Sequence, residues 1–301
     1  MEIIIGILEE GLIYAVIALG IYITYKILDF PDLSVDGTFP LGGAVSAAFL
    51  SAGMNPFIAL ILSFFIGALA GAFTGIIHVK LKIRDLLSGI ITMTGLYSIN
   101  LRIAGKANVP LFSKVTIFSD ISSPVVPDIL KPFMTALIIF LIVLVSKFLL
   151  DAYLRTRSGF LLRAVGDNEV LVTSLARDKG TVKIIGLSIA NGFAALAGSI
   201  YCQQKQVFDV NMGTGTMVIG LASVIIGTKL FRHAGIVKAT TAVIIGSIIY
   251  KACVSLAIAC GMAASDLKLV TALLFLIILV LSMDRKKKRN VQKGTEAGSH
   301  A

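Results

Sequence analysis

Long apolar runs broken by short polar stretches dominate the chain, at roughly 8–28, 38–52, 56–79, 86–103, 132–150, 184–203, 217–230, 236–258 and 269–283. Runs approaching about 20 apolar residues are what a helix needs to cross a bilayer. The pattern therefore predicts an all-α, polytopic membrane protein with about nine transmembrane helices. The second and seventh runs are short and glycine-rich, as expected of segments held among other helices and lining a pathway. Two stretches break the pattern. Residues 104–131, with Pro110, Pro124 and Pro127, read as an extracytoplasmic loop. Residues 151–183 are densely charged and helix-compatible, and read as a cytoplasmic working element.

Composition agrees. Of 301 residues, 56% are hydrophobic and 15% charged, and the mean hydropathy is +0.92, against about 25% charged in soluble domains. The net charge of +10 reflects location more than nucleic-acid binding, since basic residues 285–289 directly follow the last apolar run as a cytoplasmic anchor. With the tail placed inside, nineteen Lys and Arg fall on cytoplasmic positions and six on outer ones. This supports an amino terminus outside and a carboxyl terminus inside. Residues 1–283 are expected to form one transmembrane domain, followed by a basic tail at 284–301. The first apolar stretch lacks a basic flank and a cleavage site, so it is expected to stay in the chain.

Catalytic signatures are missing. Gly227-Thr228-Lys229 lacks the upstream glycine of a phosphate-binding loop, and His78, His233 and His300 are scattered. Cys202, Cys253 and Cys260 form no metal-ligand spacing. The chain is expected to be neither an enzyme nor a metalloprotein.

Three regions carry specific signals. Gly67, Gly71 and Gly75 place small residues on one helix face for close backbone approach, within the chain or at a dimer seam. Residues 29–43 hold Asp29, Asp32 and Asp36 with Pro31 and Pro40; Asp36 is expected to cap the second segment, or to touch solute. In Arg155-Thr156-Arg157-Ser158-Gly159-Phe160-Leu161-Leu162-Arg163-Ala164-Val165-Gly166-Asp167-Asn168-Glu169, Gly166 is expected to end one helix. Asp167 or Asn168 would cap the next, a short surface helix over about 169–177 bearing Leu171, Val172 and Leu175.

These motifs, with Asn191-Gly192-Phe193-Ala194-Ala195-Leu196-Ala197-Gly198, resemble the permease subunits of binding-protein-dependent ABC importers of the branched-chain amino acid and ribose group. Residues 29–43 and 220–227 resemble more closely a subgroup linked to uptake of tryptophan, tyrosine or related solutes. The resemblance implies a type II importer permease fold, a pathway formed by two copies, two cytoplasmic ATPases carrying ATP and Mg, and an extracytoplasmic substrate-binding protein. No cofactor would be bound by this chain. Carried over by position, Arg163, Gly166, Asp167, Asn168, Glu169, Leu171 and Leu175 would couple to the ATPase. The run Arg177-Asp178-Lys179 before Gly180 departs from the small residues usual there.

Polar residues inside apolar runs are pathway or gate candidates: Asp36, Thr38, Thr92, Thr94, Tyr97, Ser98, Asn100, Asn191 and Ser223. Each is equally suited to an interhelical hydrogen bond. Lys251 should be paired, face a cavity or snorkel to the surface. The rival reading is an ion-gradient-driven secondary transporter. It is disfavoured because the acids, Asp29 to Asp36, Asp85, Asp209 and Asp266, are expected at membrane interfaces.

Overall fold

In the computed structural model the described residues are 2–119, 131–167, 178–231, 237–259, 269, 271–273, 275–277 and 280. The helices are α1 (Glu2–Ile21), continued by a π-helical stretch Tyr22–Ile27, then α2 (Val35–Ser51), α3 (Pro56–Lys80) and α4 (Asp85–Ala104). After them come α5 (Lys131–Tyr153), α6 (Arg157–Asp167), α7 (Lys179–Lys205), α8 (Thr216–Leu230) and α9 (Ala239–Ala259). Strands β1 (Asn108–Pro110) and β2 (Val207–Asp209) pair antiparallel, Val109 opposite Phe208. The segment expected to be only a loop thus supplies one strand of a small ribbon.

Local chemistry sets the helix starts. Asn55 accepts a hydrogen bond from the Phe57 amide at 2.9 Å, with Pro56 at the first helical position where no amide is needed. Asp178 caps α7 through the Gly180 and Thr181 amides at 2.9 and 3.3 Å, and the Thr181 hydroxyl, donating at 2.7 Å, holds its carboxyl below the usual range together with these amides. The π-helical stretch ends at Ile27, and just beyond it Asp29 has a φ of 52°, in the left-handed region an aspartate tolerates.

Among the described residues six helices are long and apolar enough to cross a membrane, and the expected count of about nine crossings is not confirmed. Helices α2 and α8 have only 17 and 15 residues, and run 269–283 lies partly outside the described residues. Helix α7 is the hub, packing most extensively on α3 and then on α2 and α1. The middle of α1, from Ile13 to Leu19, is buried all round except for Tyr14, which is half-buried. By contrast α3 and α5 expose Phe65, Leu69, Phe73, Phe148 and Leu149. An apolar exterior of this kind suits lipid or another copy better than water.

The glycine ladder faces α7. A Cβ at Gly67 would stand 2.7 Å from the Asn191 carbonyl oxygen, and one at Gly75 2.9 Å from Ile184 Cα. At Gly71 it would run into the Leu187 carbonyl. On the other side of α7, Gly42 of α2 lies against the Ala195 carbonyl, and Gly198 of α7 against that of Phe39. Three helices therefore meet backbone to backbone.

Candidate translocation site

The break between the π-helical stretch and α2 turns Asp32 inward, leaving it 1% exposed. One carboxylate oxygen accepts from the Ser34 amide (2.9 Å) and hydroxyl (2.6 Å). The other accepts from Asn191 Nδ2 at 2.7 Å. Asn191 completes its bonds by donating to the Leu187 carbonyl (3.1 Å) and accepting from the Thr38 hydroxyl at 2.7 Å. Burial pushes the Asp32 carboxyl up, while the Ser34 and Asn191 donors pull it back down. Every polar group here has a partner, the condition under which a buried network rigidifies a core. It ties the start of α2 to the middle of α7.

Four residues later Asp36 makes a second tie. Its carboxylate accepts from the Gly215 amide (3.0 Å), the Thr216 hydroxyl (2.9 Å) and the Met217 amide (2.7 Å). The expected cap of α2 is therefore corrected. Asp36 lies inside the first turn of α2, and Ser34 at the cap position makes no side-chain cap bond. The negative charge is placed instead at the positive end of α8, where it satisfies orphan amides. Asn100 of α4 donates to the Gly37 carbonyl at 3.0 Å, so α2, α4 and α8 converge on one turn.

A third polar group lies inside the bundle. Glu10 of α1 pairs with Lys205 of α7 at 2.6 Å and with Lys251 of α9. Gln204 donates to the neighbouring Glu9 at 3.0 Å. Lys251 is thus paired, and it also borders a cavity. Asp32 and Glu10 each have partners on other helices, Asn191 for the one and Lys205 and Lys251 for the other, too distant in sequence to be read beside them. A fourth group gathers at the end of α5, where Asp151 accepts from Lys147, Lys238 and Thr240.

Of the other pathway candidates, Thr92 is buried, bonding Thr74 at 3.0 Å and the Ser88 carbonyl at 3.1 Å. Ser223 is buried and returns its hydroxyl to the Ile219 carbonyl of its own helix. Thr94, Tyr97 and Ser98 lie on the exposed face of α4, apart from the Asp32 network. Arg163 is exposed on α6. Gly166 does not end a helix, because α6 continues to Asp167. A Cβ there would collide with the Ile27 carbonyl, so the glycine serves close approach to the π-helical stretch. Asn168, Glu169, Leu171, Val172 and Leu175 lie outside the described residues. Asp32, Ser34, Glu10 and Lys205 were not singled out from sequence, since only their partners across the fold give them meaning. Among the described residues no group of His, Cys, Asp or Glu is placed to hold a metal.

The sequence model of the branched-chain amino acid transport system permease component matches residues 3–282. The chain is 45% identical over 276 residues to the tyrosine transport system permease protein of Clostridioides difficile, covering 92% of this chain and 90% of that one. It is 33% identical to an uncharacterized protein of Rickettsia prowazekii, over 97% of this chain and 100% of the other. A ribose import permease of Haemophilus influenzae is 27% identical over 82% of this chain and 74% of its own. No solved structure matches.

Proposed function

The chain belongs to the permease-component family of branched-chain amino acid transport systems, and we propose that it forms the membrane pathway of an ATP-driven importer for an amino acid, aromatic or branched-chain. The observation that carries this reading is the 45% identity, over nine-tenths of both chains, to a tyrosine transport permease. The architecture supports it. Apolar exterior helices surround polar ties that fix α2, α7 and α8 to one another, and polar groups within a membrane bundle are costly unless they pair or line a pathway.

In this reading the pathway forms with a second copy of the chain. Two cytoplasmic ATPases bind ATP and Mg, and an extracytoplasmic binding protein delivers solute. The amino terminus faces out and the carboxyl terminus faces the cytoplasm of a bacterial cell. Residues 163–175 carry ATPase motion to the bundle, since a two-state displacement at one end is passed through packed helices to the other.

The test is reconstitution in liposomes with the ATPase and binding protein of the same system. Uptake of L-tyrosine should require both ATP and the binding protein. The enclosed acids Asp32 and Glu10 are residues an ion-coupled carrier would use; uptake driven by a proton or sodium gradient without ATP would establish that second reading instead.

A further inference from the structure

Between α1, α8 and α9, with Thr271 and Ala272 beyond them, lies a cavity of about 320 Å³. Its wall combines Tyr14, Tyr250, Val218 and Val254 with the ammonium-bearing Lys251 and with Thr214. Lys251 lies 5.8 Å over the Tyr14 ring and pairs with Glu10, the two side chains being 20% and 22% exposed. Glu10 is held independently by Lys205 at 2.6 Å. The shared carboxylate matters. A lysine ammonium has three donors, so Lys251 can turn one to an incoming carboxylate while Glu10 keeps both of its lysines. Glu10 does not line the cavity but, paired with Lys251, sets negative charge next to it, and Tyr14 and Tyr250 form the aromatic part of the wall.

We propose that this cavity binds a small zwitterion with an apolar or aromatic side chain, its carboxylate on Lys251, its ammonium toward Glu10 and its side chain between Tyr14 and Tyr250. This rests on the amino acid importer reading and supplies the place where the permease itself recognises the solute. A cavity of this volume suits one amino acid and excludes larger peptides.

The test is equilibrium binding of radiolabelled L-tyrosine to the purified full-length permease in lipid nanodiscs, without ATP or partners. Competition by 3-(4-hydroxyphenyl)propionate, which keeps the carboxylate, is compared with competition by tyramine, which lacks it. L-Tyrosine should bind, and the propionate should compete better than tyramine. Lys251→Gln should weaken tyrosine binding about tenfold or more, as expected for losing a charge-assisted hydrogen bond, while leaving the weak competition by tyramine unchanged. Lys251→Arg should recover part of the loss. Val218→Phe, which fills the cavity without touching a charge, should abolish binding, and it decides the matter if Lys251→Gln does not fold. Absence of tyrosine binding, equal competition by the two analogues, or wild-type affinity in folded Val218→Phe would overturn the assignment. Because no ATP is used, these outcomes are independent of the liposome experiment. Binding here with no ATP dependence there would remove the importer reading alone.

Discussion

Replacing Asn191 by leucine tests the tie between α2 and α7 at nearly constant volume. The amide is the sole side-chain partner of one Asp32 oxygen, at 2.7 Å, and that oxygen is fully enclosed. Thr38 keeps the Ser34 carbonyl as an acceptor at 2.9 Å, so the loss concentrates on Asp32. A hydrogen bond to a charged group contributes roughly 1.5–3 kcal/mol, and stranding its buried partner brings the cost to about 3 kcal/mol. Uptake of a proton by Asp32 would limit the loss further. The informative companion is the exchange Asp32→Asn with Asn191→Asp, which reverses donor and acceptor while conserving charge. It should recover more than half of the stability lost by Asn191→Leu, whereas Asn191→Asp alone sets two carboxylates face to face and should be as damaging as the leucine. Reversible unfolding in mixed micelles, followed by circular dichroism, gives the five free energies, those of wild type, Asn191→Leu, Asn191→Asp, Asp32→Asn and the exchange. A loss below about 0.5 kcal/mol for Asn191→Leu, the range of ordinary surface substitutions, or an exchange no better than the sum of its parts, would refute the tie.

Three further outcomes follow from the same structure, and a fourth from the proposed coupling to an ATPase. Gly71→Val should abolish folded yield by size-exclusion chromatography, because its Cβ meets the Leu187 carbonyl, while Gly95→Ala on the open face of α4 should raise stability by about 0.5–1 kcal/mol. Asp36→Ala removes three bonds from the start of α8 and should cost about 2 kcal/mol, read as a lower melting temperature. Asp32 has its carboxyl raised above the ordinary 3.8, so the folded chain binds its proton more tightly than the unfolded one. Ionising it is a cost, present in full above the folded value and relieved as pH falls through that value toward 3.8. The stability difference between wild type and Asp32→Asn should therefore move in favour of wild type on acidification from pH 7, about pH 5 being a practical lower limit; a move the other way would exclude the raised value. Joint replacement of Asp167 and Glu169 by lysine should leave ATP hydrolysis running in the assembled complex while solute uptake falls about tenfold or more, a split readable in one liposome assay.

The helix positions were legible because hydropathy is a local property. Every one of the first eight apolar runs overlaps a helix, and the spacing of Gly67, Gly71 and Gly75 already specified a face. Polar partnerships were not local. Asp32 and Asn191 are 159 residues apart, and Asp36 reaches 181 residues ahead to Met217. Asn191 and Asp36 therefore stood out as polar residues in apolar runs without showing what they held. Glu10 carried no signal of its own, because nothing near it in sequence indicates the two lysines that flank it. The number of crossings is not fixed by the pattern for a related reason: a short run of small residues has the same hydropathy whether it meets lipid or lies among other helices.

Where α2, α3 and α7 touch through carbonyl oxygens and missing β-carbons, few flexible rotamers remain to absorb a shove. Ordinary helix pairs slip by letting long side chains readjust, but this trio is jointed like dry masonry and must tilt as one slab. A displacement of α7 would therefore be carried to the Asp32 turn, and from there to the start of α8 through the single carboxylate of Asp36.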